Sequence, residues 1–353
     1  MTVGELWWTQ ITNSRNLVCD ITDMLILGRS VMVCFPDDIP WKEVFEETLE
    51  NSLQSDNRTF DIHNVTRSDE PGQYLFKRYI SPNVRNNMRY DQSYENFLAQ
   101  EKTTVLKTSY VCVEGLSTEK CTAAWTESVN RYLGEFGEDD EHGIFLLLCK
   151  GAAPRSAGKL TVIDYRDYIS DYDCLMLCLT VVSGLRCCAE EKQYIAEFAN
   201  ALSRGSCELA GVLAEKGRAL IETPEDTVRE VCEENGLSFA ELSDRIAPAL
   251  WESQTKLVFP TVERFRKYFS DEYRVSLLGC LPFRDHSSGE RINNVNGLEI
   301  GHLHFLSKQR GIGSEADRKM LDLMRKARND SAHWDIVSLD DFREIIAWKE
   351  PNR

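Results

Sequence analysis

The sequence has no run of about 18 uninterrupted apolar residues, the length a membrane-crossing helix needs, so no transmembrane segment and no membrane partner are expected. Its longest mainly apolar stretch, residues 174–182 with Thr180 within it, is half that length and suits a buried element. The opening MTVGELWWTQ lacks a basic stretch followed by an apolar core, which argues against a secretory signal. No CxxC pair occurs among the 12 cysteines. Several sit inside VMVCF, YVCV, FLLLC and CLMLCL, where Cys acts as a small buried hydrophobe rather than half of a disulfide. The cytosol is therefore the expected compartment. Paired ligand spacing is missing, so no metal site is expected. Positive charge is also scarce: 41 Lys and Arg stand against 57 Asp and Glu, a net charge of −16. That excludes a broad basic surface for DNA while leaving room for a small local RNA site. No G-x-S-x-G elbow, internal repeat or low-complexity segment is present.

What is there divides by texture. Residues 14–27 read as a helix with Leu17, Ile21, Met24 and Leu25 on one face, Ser14 as its N-cap and Gly28 as its stop. RSVMVCF reads as a buried strand, PDDIP as a tight loop, and WKEVFEETLENSL as a helix. Residues 55–107 look less regular, with a Pro-Gly turn at 71–72 and a short helix at 94–100. Three further strands are expected at 108–116, 143–149 and 159–165, with a helix at 117–136 whose cap would be Ser117. Strands alternating with helices, and apolar throughout, imply a mostly parallel sheet buried on both faces. Beyond about residue 168 the pattern is helical, with helices around 189–216, from Pro224 to Gly236, over 238–278, and at 315–330 and 339–348. The Gly- and Asn-rich stretch 279–313 reads as an insertion or long connection. His302 and His304 within LEIGHLHFL would share one face of a strand, where packing is the expected role. Two domains follow: an α/β domain over 1–220 and an all-α helical bundle over 221–353.

A strand, tight loop and helix near the N-terminus is where a phosphate-binding loop would sit. Such a loop needs glycines, a Lys and a Ser or Thr. Here residues 35–42 are FPDDIPWK: two prolines remove donors, two aspartates repel phosphate, and only Lys42 is basic. The strand TSYVCVEG ends in Glu114 where a magnesium-binding Asp is the expected residue. The order of elements over 14–220 still resembles the STAND and AAA-type P-loop ATPases, with Arg155 of GAAPR at a sensor-like position. Since the catalytic residues are the ones that differ, the resemblance implies an inactive relative, a degenerate P-loop-like domain with no nucleotide cofactor.

The segment 314–333 carries the densest chemistry. Ser314 and Asp317 form a capping pair; Met320, Leu323, Met324 and Ala327 mark an inward face. Arg328, Asn329 and His333 follow, and Ser338 with Asp341 caps a further helix. An imidazole near neutral pKa suits a general base, and a guanidinium suits a fixed clamp on a phosphorane. Arg-Asn followed by Ala-His between two helices resembles the HEPN family of helical domains. That resemblance implies either a metal-independent ribonuclease, acting as a homodimer through Arg328, Asn329 and His333, or a non-catalytic interaction module. The expected function is a non-catalytic regulatory component of a prokaryotic multi-protein system, antiphage defence being the kind such pairings suggest. The ribonuclease is the alternative. Expected partners are other proteins of a larger assembly, with RNA at a local site.

Overall fold

Residues 31–35, VMVCF, are apolar on both alternations, so the strand they form must be covered on both sides. In the computed structural model, which describes residues 1–54, 56–67, 69–137, 140–285 and 289–351, this strand sits inside a five-stranded sheet. The chain forms two compact units, Met1–Asp173 and Cys174–Arg353.

The first unit contains α1 (Val3–Gln10), α2 (Thr12–Ile26), β1 (Val31–Phe35), α3 (Lys42–Leu53), β2 (Thr59–Asn64), α4 (Pro71–Tyr79), α5 (Pro82–Arg85), α6 (Tyr94–Gln100), β3 (Ser109–Leu116), α7 (Glu119–Gly134), β4 (Ile144–Lys150) and β5 (Thr161–Asp164). All pairings in this sheet are parallel and the strand order is β2-β3-β4-β1-β5, a P-loop-like order. The crossover from β1 runs towards β2 while that from β4 runs past β1 to β5, so adjacent strands send their connections in opposite directions. A crevice opens at the carboxyl ends of such strands.

Alternation assigns the two faces. Met32, Cys34, Val111, Val113, Phe145 and Leu147 pack with Leu75 of α4, Leu98 of α6, and Trp125 and Val129 of α7. On the other face Phe35 meets Phe45 of α3 at 5.8 Å between ring centroids, and Phe45 meets Trp8 of α1 at 4.7 Å. Trp7 and Trp8 are both fully buried.

Several expectations need correcting. α1 was not anticipated. Ser14 is not a cap: it lies within α2, buried, with its hydroxyl donating to the Ile11 carbonyl at 3.0 Å and to that of Trp7. The stretch 55–107 is more regular than expected: it holds edge strand β2, and Pro71-Gly72 opens helix α4 rather than forming a turn. β2 escaped notice since TFDIHN mixes polar and apolar residues, as an edge open on one side permits. Thr118, not Ser117, caps α7 by accepting from the Cys121 amide.

The second unit begins within α8 (Asp171–Val182). It comprises α9 (Ala189–Ser203), α10 (Cys207–Glu215), α11 (Ala219–Glu222), α12 (Pro224–Asn235), α13 (Phe239–Glu272), α14 (Arg274–Leu278), a hairpin of β6 (Phe283–Arg284) and β7 (Arg291–Ile292), then α15 (Ile300–Arg310), α16 (Glu315–Ala332) and α17 (Leu339–Ala347). Arg204 and Gly205, both in the left-handed region, break α9 from α10. Cys178, Val182, Ile195, Phe198 and Leu213 share one core with Val258, Phe265, Leu321 and Ile345. The helices before residue 220 thus belong with those after it, and the units part at 173/174 rather than at the expected 220/221. The span 279–313 is not wholly a connection, for α15 lies in it. LEIGHLHFL forms a helix because Ile300, Leu303 and Leu306 bury at helical spacing. His302 and His304 therefore point about 200° apart and do not share a face.

Among the described residues no disulfide forms, no group of His, Cys, Asp and Glu could hold a metal ion, and no helix is long and apolar enough to cross a membrane.

Candidate functional site

The crevice at the carboxyl ends of β1, β3 and β4 is a cavity of about 290 Å³, lined among others by Phe35, Asp37, Asp38, Lys42, Glu114 and Lys150. Its loop is braced from behind. The Trp8 indole donates to the Pro40 carbonyl at 2.8 Å. Gly4 lets α1 approach so near that a Cβ there would lie 2.6 Å from Trp41. Trp41 itself takes a left-handed backbone, which turns the chain into α3 and sets Lys42 at the start of the helix.

Lys42 is where a phosphate would be held, but acid has taken it. Its ammonium pairs with Glu114 of β3 and lies 3.6 Å from Glu46, one helical turn on. Burial works against the charge on Lys42, yet Glu114 and then Glu46 hold it above the usual lysine range. Burial first, and then the Glu114 carboxylate, push Glu46 up to about 7, against the pull of Lys42. One ammonium thus faces two carboxyl groups, and Glu46 relieves the excess by keeping its proton near neutrality. Lys150, at the end of β4, is likewise paired, at 2.9 Å, with Asp38. Both bases of the crevice are matched to acids, and the loop between β1 and α3 has no glycine to wrap phosphate. Arg155 is exposed and does not line this cavity. Reading the sequence found Lys42 and Glu114 but missed Glu46, although its i, i+4 spacing from Lys42 on a helix was the available signal.

A second polar constellation joins β2 to α4. The Tyr79 hydroxyl donates to Asp61 at 3.0 Å, so it must accept the 2.8 Å bond from His63 Nε2. His63 Nδ1 is then the acceptor, and the Tyr74 hydroxyl donates to it at 3.3 Å. Burial, then Arg78, hold the His63 pKa below its usual value. The network is closed and its imidazole neutral, an arrangement that fixes an edge strand.

The predicted Arg–Asn–His site lies at the end of α16. Arg328 and Asn329 occupy its last turns and His333 is its C-cap. The helix continues to Ala332, so five residues of helical winding set Arg328 and His333 about 140° apart around the axis. Arg328 faces Glu299 at 4.0 Å, while His333 is exposed. Within one chain the two side chains thus leave the end of α16 in different directions. The helix end is instead held by Trp251 of α13, whose indole donates to the Ser331 carbonyl at 2.8 Å and stacks on Trp334 with centroids 4.0 Å apart. His302 and His304 are occupied by Glu299 and Asp322 respectively.

No known protein family matches the chain, and no curated protein does. A solved structure described as that of a DNA replication initiation factor aligns with 95% of this chain and 82% of its own, at 10% identity and a TM-score of 0.31. A likeness that low carries no statement about activity. The assignment of the sheet rests on its strand order.

Proposed function

We propose that this protein is a non-catalytic interaction or regulatory component of a prokaryotic multi-protein system, of the antiphage-defence kind. In this reading a degenerate nucleotide fold serves as a scaffold beside a HEPN-like helical module. One observation carries the proposal: Lys42, the one base of the phosphate-loop position, is bound by Glu114 and Glu46. Phosphate would have to displace a carboxylate and settle beside Asp37 and Asp38, which repel it. Adding Mg-ATP to the purified protein should leave its melting midpoint unchanged and the ATP intact. A ligand present at a hundred times its Kd would add about 2.7 kcal/mol and raise the midpoint clearly. Such a shift, or turnover, refutes the scaffold reading. Affinity capture should also recover stable protein partners.

The metal-independent ribonuclease, with His333 as base and Arg328 as phosphate clamp, is supported by the exposure of His333 and the partial exposure of Arg328. Their angular separation means that a second copy would have to complete the site. RNA cleavage that survives EDTA and is lost in His333→Ala, with folding intact, is its signature. Equal cleavage by both proteins removes it.

A further inference from the structure

Residues 256–328 carry 14 Lys and Arg against 9 Asp and Glu, a local positive excess in a chain of net charge −16. Within this span β6 and β7 pair antiparallel, with Phe283 opposite Ile292 and Arg284 opposite Arg291. Phe283 and Ile292 pack against the core of the helical unit, so alternation turns the two arginines outward, and both are exposed. Asp285, the next residue after β6, lies 3.7 Å from His302 of α15. Like charges directly opposite each other destabilise a strand pair, and a carboxylate at either position would relieve this. In a chain with 57 Asp and Glu none is supplied: among the described residues neither guanidinium has a hydrogen-bond or ion-pair partner.

We propose that the Arg284–Arg291 face of this hairpin binds the phosphate backbone of a nucleic acid. Side chains directly opposite on paired strands start about 4.5–5.5 Å apart at Cβ, so the two forks converge on one phosphodiester or span two successive ones. Each fork matches phosphate oxygens bidentately, and a two-stranded ribbon is narrow enough to lie along a groove. An acidic peptide fits less well. Adjacent carboxylates on an extended chain point to opposite sides, whereas phosphates recur along one strand. The contact reads charge, not sequence, and the acidity of the rest of the chain confines it to this face.

The test is binding of a labelled DNA duplex and a labelled single-stranded RNA to the full chain across a salt series, by anisotropy. Replacing both residues, Arg284→Ala with Arg291→Ala, should lower the slope of log K against log salt on the duplex by about 1.8, the counterion release of two phosphate contacts. Arg291→Glu should weaken binding while holding or raising the melting midpoint, because it creates an opposed ion pair. That separates a lost contact from a lost fold. Absence of binding at low salt, or an unchanged slope in the double variant, overturns the proposal. Equally tight binding of polyglutamate replaces nucleic acid with an acidic protein as the partner class.

Discussion

The sheet crevice and the β6–β7 hairpin treat charge in opposite ways. In the crevice one ammonium is shared by two carboxyl groups, so the acid exceeds the base. On the hairpin Arg284 and Arg291 stand opposite each other, and among the described residues neither guanidinium has an ion-pair partner. The first arrangement is closed to an anion although the fold would seat one there. The second stays open to an anion on a protein whose overall charge disfavours it. Net charge describes neither place, and local pairing decides which is available.

Breaking the crevice should have the largest effect. Lys42→Met leaves Glu46 and Glu114 facing each other without a cation, both with side chains mostly buried. Removing one partner of a buried pair costs about 3–5 kcal/mol, and the partial exposure of Lys42 reduces this to about 2–3 kcal/mol. Urea denaturation measures it. Lys42→Met combined with Glu46→Gln and Glu114→Gln should recover most of the loss. A single variant as stable as the parent would mean the triad contributes nothing.

The pH profile sharpens the same point. Glu46 has a folded pKa of about 7 against a reference of 4.5, so the fold favours its protonated form. That contribution is complete below pH 4.5 and is lost as pH rises through 7. Glu46→Gln should flatten the decline between those values by about 2 kcal/mol, the scale of a shift of this size shared with its neighbours. A decline of the same depth in both proteins would place its source elsewhere.

A smaller effect is expected at the end of α16. Trp251→Phe keeps an aromatic surface for Trp334 but removes the donor to the Ser331 carbonyl. A loss of about 1 kcal/mol in thermal denaturation is expected. If that end frays, amide exchange around residues 329–333 should accelerate more than exchange elsewhere in α16. Uniform acceleration along the helix would show that the cap is not local.

What could be read from the sequence follows from where a signal is local. β1, β3 and β4 are apolar on both faces, and helix 94–100 has its cap in Ser93, so each announces itself within a few residues. β2 does not, because an edge strand needs apolar residues only where it meets the core. α15 imitates a strand because His302 and His304 alternate with Gly301 and Leu303, and only the spacing of Ile300, Leu303 and Leu306 betrays the helix. In the crevice the acids were visible, but their capture of Lys42 was not, since Glu114 is 72 positions away in sequence and adjacent only once β3 lies in the sheet. Arg284 and Arg291 look like isolated bases in the sequence. Their opposition exists only after the hairpin registers them.

The smallest effect is the one whose sign matters most. In an ordinary surface hairpin, turning one of two opposed arginines into a glutamate is a stability repair, since a repelling pair becomes an attracting one. Arg291→Glu should raise stability by about 0.5 kcal/mol, within the range measured for cross-strand pairs. The gain should shrink as salt screens the exposed charges. A protein that forgoes so available a repair is retaining the repulsion for something that neutralises it from outside. If Arg291→Glu is instead less stable at low salt, the arginines are already neutralised by a contact within the fold. The electrostatic argument for an anionic partner then fails, whatever the binding assay reports.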